Sequence, residues 1–232
     1  MTIIKLKKSI IPSCDVDSLD RLKRLVKETC SVNGVGAYKI GFEIVIPFGI
    51  NNVISAIREI TDLPIIYDHQ KAGTDIPDTG DKFMKACKNA DAVILFPQAG
   101  PETETAWIKA SQKNKVNVII GGEMTHKAYL KKDNGFIEDT APSKIYELAA
   151  SLGVSDFVVP GNKPDSTIKY KKIIESKIKS PVFYSPGLIT QGGRLEELSK
   201  KLDSWHAIIG RAIYESKDMG KAAKQFAELL TV

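Results

Sequence analysis

Cysteine and long hydrophobic runs are scarce in this sequence of 232 residues. The three cysteines, Cys14, Cys30 and Cys87, form no Cys-x-x-Cys pair and leave an odd number, which disfavours a disulfide framework and favours a reducing compartment. No apolar run approaches the roughly 18 residues that a membrane span requires. The apolar stretch after the N-terminal lysines is interrupted by Pro12 and Asp15, so it does not resemble a secretory signal. These absences predict a cytoplasmic protein that contacts no membrane.

The sequence also lacks a large excess of charge of either sign. It contains 33 Lys and Arg against 28 Asp and Glu, and the two signs are interspersed instead of forming a basic stripe with aromatic residues between. This pattern is typical of solvated helix surfaces and disfavours nucleic acid as a partner. The net charge of +5 suits a small anionic substrate. With 43% hydrophobic residues, 11 Pro and 17 Gly, the chain is expected to fold as a globular protein.

Short β-branched runs and amphipathic stretches alternate from one end of the chain to the other. The stretches between the runs have apolar residues at helical spacing, and Asp17 and Ser143 are predicted as helix N-caps. Buried strands that alternate with helices predict a parallel sheet, because parallel strands need crossover connections. The eight apolar runs are 9–11, 37–40, 64–67, 92–96, 116–120, 156–159, 181–184 and 207–209.

The length of the repeating unit favours a closed barrel. Eight units in 232 residues give 29 residues per unit, which is about the size of one βα repeat. We therefore predict an α/β fold, a single-domain (β/α)8 TIM barrel over residues 1–232. A doubly wound open sheet is the alternative, and it fits less well because no Gly-x-Gly-x-x-Gly turn follows the first strand. In a barrel the functional side chains follow the strands, at the C-terminal face.

A group of charged residues follows the third predicted strand. Asp68, Lys71 and Asp75 lie within one segment of eight residues, and charges so close together can fix one another's protonation state. Such a group can hold an ammonium beside a carboxylate at neutral pH. The other interpretation is an exposed charged loop, and the residues alone leave both open.

Glycines follow the seventh and eighth predicted strands. Gly187, Gly192 and Gly193 follow the seventh, and Gly210 follows the eighth, with Arg211 directly after it. Backbone N–H groups at glycine turns can approach an anion, and the arginine fork matches a phosphate group. These turns predict a phosphate site at the place where TIM barrels often have one.

Motifs for other chemistries are absent. The sequence has no Walker A, His-Glu-x-x-His or Gly-x-Ser-x-Gly motif. His69, His126 and His206 are not at metal-ligand spacing, so we expect them to be hydrogen-bonding or surface residues. A metal held by carboxylates stays open at this point.

Together, these segments resemble the orotidine 5′-phosphate decarboxylase family. The pattern Pro186-Gly187-x-x-x-Gln191-Gly192-Gly193 with Gly210-Arg211 downstream is highly specific for that family. The family usually has Asp-x-Lys-x-x-Asp, whereas here two residues separate Asp68 from Lys71 and three separate Lys71 from Asp75. The extra residues would lengthen the loop that presents these charges. Further matching positions, which extend over most of the chain, are Asp15, 38–41, 75–79 and 123–126.

The resemblance implies decarboxylation of orotidine 5′-monophosphate to UMP in de novo pyrimidine biosynthesis, with neither cofactor nor metal. It implies that Lys71, Asp68, Asp75 and Lys39 are catalytic and that Lys71 protonates C6. It also implies a homodimer with shared sites, in which Asp75 and Thr79 act on the substrate of the partner subunit. The implied substrate-binding residues are Asp15, Thr79, Thr125, Pro186, Gln191, Gly192, Gly210 and Arg211.

Two other functions stay open from the sequence. One is a metal-dependent decarboxylase or aldolase for a keto-sugar phosphate, from the same suprafamily. The other is a barrel that binds a phosphate ligand without catalysis. Dependence on a divalent metal would identify the first, and tight UMP binding without turnover would identify the second.

Overall fold

The computed structural model describes residues 2–69, 75–188 and 195–230. Strands and helices alternate along these ranges, as predicted, and every predicted apolar run overlaps a strand. None of the helices in these ranges has the length and apolar character needed to cross a membrane. The strands are β1 (Lys8–Pro12), β2 (Tyr38–Gly41), β3 (Ile65–Asp68), β4 (Ala92–Leu95), β5 (Asn117–Gly121), β6 (Asp156–Val158), β7 (Val182–Ser185) and β8 (Trp205–Ile209). The helices are α1 (Leu19–Thr29), α2 (Phe42–Phe48), α3 (Ile50–Arg58), α4 (Gly80–Ala86), α5 (Pro101–Asn114), α6 (Ala141–Ser151), α7 (Pro164–Glu175), α8 (Leu195–Lys201), α9 (Arg211–Tyr214) and α10 (Met219–Glu228).

The eight strands form one parallel sheet in the order β1-β8-β7-β6-β5-β4-β3-β2. The strands at its two ends, β1 and β2, meet through isolated parallel bridges, one of which joins Ser13 to Lys39. The backbone N–H of Cys14 donates to the carbonyl of Lys39 at 2.7 Å. The sheet therefore closes into a nearly complete barrel. The predicted (β/α)8 class is confirmed, and the open-sheet alternative is wrong.

Two sets of apolar side chains hold the barrel together, because successive side chains of a strand point to opposite faces. One set packs between the strands and the surrounding helices and includes Ile10, Val93 and Phe157. The other includes Ile11, Ile66, Ile94, Ile119 and Tyr184, from the same strands but on the opposite face, inside the barrel. Full burial of one such side chain contributes about 1.5–3 kcal/mol to folding. The inner set fills the barrel, so a ligand can enter only at its ends.

Two helices begin at residues other than those predicted. Ser18, not Asp17, is the N-cap of α1, and its hydroxyl accepts a backbone hydrogen bond from the first turn. Thr140 precedes α6, and Ser143 lies inside its first turn. Proline is favoured in the first turn of a helix because the N–H that it lacks has no partner there. Pro142 therefore places the start of α6 before Ser143.

Candidate active site

A cavity of about 380 Å³ opens at the C-terminal ends of the strands. Its polar lining comes from residues near the C-terminal ends of the strands and in the turns after them, and its apolar wall comes from the inner side of the barrel. We call it the mouth cavity. The lining includes Ser13, Asp15, Lys39, Asp68, Thr125, His126, Pro186, Gly187 and Gly210 together with Ile94, Phe96, Val158 and Ile208.

The ammonium of Lys39 lies between two carboxylates in the mouth cavity. Its ammonium lies 3.3 Å from Oδ2 of Asp68 and 3.4 Å from Oδ1 of Asp15, and only 6% of its side chain is exposed. Burial by itself would lower the pKa of Lys39, but the two carboxylates outweigh burial and raise that pKa above its ordinary value. Lys39 is therefore a fixed positive charge between two carboxylates at neutral pH.

Small residues next to Lys39 make room for this arrangement. Gly41 follows Lys39 by two positions on β2, so both face the barrel interior. A Cβ at Gly41 would lie 2.8 Å from Oδ1 of Asp15, which is closer than a side chain tolerates. The hydroxyl of Ser13 donates to Oδ2 of Asp15 at 2.7 Å and fixes the other carboxylate oxygen. Sequence reasoning did not assign Ser13, although it stands directly after the first strand.

A smaller cavity of about 130 Å³ adjoins the mouth cavity at the ends of β7 and β8. Gly187, Gly210 and Arg211 line it, so the structure brings the two predicted glycine turns and the arginine together. Gly187 has a φ of 80°, a conformation that favours glycine. Tyr214, which the sequence analysis did not assign, also lines this cavity, and burial and the nearby Asp15 raise its pKa. Tyr214 follows Arg211 by three residues, and this spacing places both on one face of α9.

Asp75 and Thr79 are absent from the described lining of the mouth cavity. The segment that carries them is held on α5 instead. The hydroxyl of Thr103 donates to the carbonyl of Asp75 at 2.9 Å, and the indole N–H of Trp107 donates to the carbonyl of Ile76 at 3.1 Å. Asp75 is exposed, and Ile76 is 60% exposed. Within its own chain, the segment therefore lies apart from Lys39 and Asp68.

Three predicted site residues, Lys71, Gln191 and Gly192, lie outside the described residues. The predictions about them stay predictions. Pro186 and Thr125 do line the mouth cavity, next to the charges of Lys39 and Asp68.

Sequence reasoning missed a second, partly buried ion pair, which joins the segments after β5 and β6. The ammonium of Lys163 lies 2.8 Å from Oε1 of Glu123, whose side chain is 1% exposed. Glu123 follows β5 and Lys163 follows β6, so adjacent strand ends bring together residues that are 40 positions apart. The position of both residues after strands was the only signal for this pair.

The three histidines occupy separate places. His69 is hydrogen-bonded to Tyr67, His126 lines the mouth cavity, and His206 is buried inside the barrel beside Tyr184. Among the residues that the structure describes, no group of three or more His, Cys, Asp or Glu side chains is placed to hold a metal ion.

The chain is similar to known proteins over nearly its whole length. A model of the orotidine 5′-phosphate decarboxylase / HUMPS family matches residues 8–226. The orotidine 5′-phosphate decarboxylase of Methanocaldococcus jannaschii is 30% identical over 218 residues, which cover 93% of this chain and 95% of that protein. The enzyme of the same name from Methanococcus maripaludis is 32% identical over 215 residues, covering 91% of this chain and 93% of that protein.

Solved structures agree with the sequence relatives. The crystal structure of orotidine 5′-monophosphate decarboxylase from Methanocaldococcus jannaschii complexed with the inhibitor BMP has a TM-score of 0.85 to this chain at 29% identity. The superposed region covers 97% of this chain and 99% of the Methanocaldococcus jannaschii chain. The crystal structure of orotidine 5′-phosphate decarboxylase from Pyrococcus horikoshii shares the fold, with a TM-score of 0.78 at 24% identity. The superposed region covers 96% of this chain and 99% of the Pyrococcus horikoshii chain.

Proposed function

The chain belongs to the orotidine 5′-phosphate decarboxylase / HUMPS family, and from this we propose that it converts orotidine 5′-monophosphate to UMP and CO₂ as a step of pyrimidine biosynthesis. The single observation that carries the assignment to this site is the Lys39 ammonium held between Asp15 and Asp68 in the mouth cavity. A buried row of alternating charges suits a reaction whose difficulty is electrostatic.

The reaction breaks the bond between C6 of the pyrimidine and its carboxylate carbon. CO₂ leaves, and the electron pair stays on C6 in the plane of the ring, where the π system does not delocalise it. Fixed charges that face such a pair stabilise the transition state more in a dry site than in water. The catalytic contribution of this chain is therefore placement of charge.

Asp68 and Lys71 have complementary roles in this proposal. Asp68 is 15% exposed and faces the mouth cavity, where it repels the substrate carboxylate and so disfavours the ground state relative to the transition state. Lys71, assigned from the family resemblance, places its ammonium at C6, stabilises the electron pair and then donates the proton that gives UMP. Lys39 holds the Asp68 carboxylate in place through the contact of 3.3 Å between their charged groups, and loss of Lys39 would leave a buried carboxylate without this partner.

The rest of the nucleotide extends toward β7 and β8. Asp15 holds ribose hydroxyls, and Thr125 contacts the edge of the pyrimidine on the opposite side of the mouth cavity. Arg211 and the backbone of Gly210 bind the phosphate in the smaller cavity. The list of substrate contacts is completed by Pro186, Gln191 and Gly192, the last two from the resemblance alone.

We further propose a homodimer in which Asp75 and Thr79 complete the site of the partner subunit. The support is that this segment is anchored on α5 and exposed, away from the mouth cavity of its own chain.

We also propose a cytoplasmic location. All three cysteines are free, and Cys14 and Cys87 are buried thiols, which suits a reducing compartment.

The direct test incubates the purified full chain with orotidine 5′-monophosphate in the presence and absence of EDTA. The loss of this substrate is measured by its ultraviolet absorbance. We expect turnover to UMP at the same rate in both. Turnover that EDTA abolishes would indicate a metal-dependent mechanism instead. Tight UMP binding without turnover would show a binding protein and contradict the proposed function.

A further inference from the structure

The turn that carries Thr125 is held by side chains from outside it. The carbonyl of Gly122 accepts from the Tyr129 hydroxyl at 2.9 Å, and the N–H of Glu123 donates to the Tyr146 hydroxyl at 3.3 Å. The carbonyl of Thr125 accepts from the side-chain amide of Asn162 at 2.9 Å. The turn lies beyond the end of β5, so the strand ladder does not hold it.

Lys163 supplies charge-assisted contacts to the same turn. Its ammonium donates both to Oε1 of Glu123 at 2.8 Å and to the carbonyl of Met124 at 2.9 Å. The other oxygen of Glu123 accepts from the hydroxyl of Tyr170, which is 2% exposed. Burial and the Glu123 carboxylate raise the pKa of Tyr170, so its hydroxyl stays protonated and remains a donor.

We propose that Lys163 is a positioning residue for pyrimidine recognition: through Glu123 and the Met124 carbonyl it holds the turn so that Thr125 faces the mouth cavity. The inference rests on the proposed function, which makes Thr125 a contact of the base. Lys163 itself is absent from the described lining of the mouth cavity and acts through the turn.

The placement of the pair favours this role over general support of the fold. The ladders that join β5 to β4 and to β6 include neither Glu123 nor Lys163. The turn presents Met124, Thr125 and His126 to the mouth cavity. A shift of about 1 Å in a substrate contact can cost a hundredfold in rate. A charge-assisted clamp on two successive residues of the turn opposes such a shift.

The test compares Lys163→Met, Lys163→Arg, Thr125→Val and the Lys163→Met/Thr125→Val double variant in the full chain. Lys177→Met is the matched control. Lys163 stands directly before α7 and Lys177 shortly after it, and Lys177 is an exposed lysine whose ammonium lies 3.7 Å from Oε1 of Glu147. Thermal melting of each variant sets an assay temperature at which every one is folded. The measurements are kcat/KM for orotidine 5′-monophosphate and the Kd values of UMP and of ribose 5-phosphate, which lacks the base.

We expect Lys163→Met to lower kcat/KM and UMP affinity about tenfold to a hundredfold and to leave ribose 5-phosphate affinity unchanged. Lys163→Arg retains most of the activity, and Lys177→Met matches the wild type. In the Thr125→Val background, Lys163→Met lowers kcat/KM and UMP affinity by less than a further factor of about two, because both substitutions remove the same contact.

Equal weakening of UMP and ribose 5-phosphate, or effects of the two substitutions that multiply, would overturn the positioning role and leave a structural one. Wild-type protein that binds UMP without turnover would contradict the proposed function. The comparison of UMP with ribose 5-phosphate would still decide the role of Lys163 in that case.

Discussion

Lys39 and Asp68 stand on neighbouring strands with the ammonium of one 3.3 Å from a carboxylate oxygen of the other. Because the pKa of Lys39 is raised, its contribution to stability is complete below its unfolded-state pKa of about 10.4 and is lost only as pH rises through the higher folded value. The charge of Lys39 is thus constant over the range in which an enzyme assay is run. Any pH dependence of activity near neutrality must come from other groups.

Replacement of Lys71 by alanine should abolish turnover. An ammonium that faces the developing charge is worth at least as much as one oxyanion-hole donor, so we expect kcat to fall by at least about 10²–10³. The measurement is loss of orotidine 5′-monophosphate absorbance, with thermal melting to show that the fold persists. Lys132→Ala, at an exposed position, serves as the control. A Lys71→Ala protein that keeps more than about a tenth of wild-type kcat would transfer the role of proton donor to another residue.

Replacement of Arg211 by alanine should weaken recognition of the phosphate. Hydrogen bonds to charged groups are worth about 1.5–3 kcal/mol, so kcat/KM should fall roughly tenfold to a hundredfold. Orotidine without its phosphate provides the internal control, because its slow turnover should not change. Arg21→Ala removes an exposed arginine that pairs with Asp17 and should have no effect on either substrate. If Arg211→Ala lowers kcat/KM equally for orotidine 5′-monophosphate and for orotidine, the small cavity is not the phosphate site.

Mixing two inactive proteins should restore activity if the site is shared. In a Lys71→Ala/Asp75→Asn heterodimer, one of the two sites combines a native Lys71 with a native Asp75. Random exchange of subunits should therefore restore about a quarter of wild-type activity. The control mixture pairs Lys71→Ala with Asp15→Asn, and its activity should not exceed the sum of the two separate proteins, because Asp15 and Lys71 serve the same subunit's site. Inactivity of the first mixture after exchange is demonstrated with tagged subunits would show that Asp75 acts within its own chain.

Stability should fall as pH drops below 6.5 because of His206. This side chain is 1% exposed, and burial lowers its pKa to about 3. Between an unfolded pKa of about 6.5 and the folded value, only the unfolded state binds the proton, so acid favours unfolding by up to about 1.4 kcal/mol per pH unit. Urea unfolding of His206→Gln between pH 7 and pH 5 should show a shallower loss than the wild type. His126→Gln, at an exposed position, should retain the wild-type slope; equal slopes for all three proteins would refute the assignment to His206.

Periodicity was sufficient to predict the fold class, and the resemblance of the segments after the strands to a known family predicted the family. Eight β-branched runs separated by helical stretches leave few folds other than a closed parallel barrel, because each strand must be followed by a crossover and covered on both faces. The glycine turns after β7 and β8 carried the family motif, and the relatives confirm the predicted family and its decarboxylase function. The extent of the domain and the roles of the individual site residues stay predictions.

Distances across the barrel were decided only by the tertiary structure. Lys39 meets Asp15 and Asp68 because barrel closure and strand register bring three strand ends together, and neither is visible in local spacing. The same holds for Glu123 and Lys163, which are 40 residues apart. The position of Asp75 was also hidden, because the side chains of α5 that hold its segment lie about 30 residues downstream. Residue types after the strands thus determined which charged and phosphate-binding groups the chain can offer, and packing between those strands determined which of the residues meet.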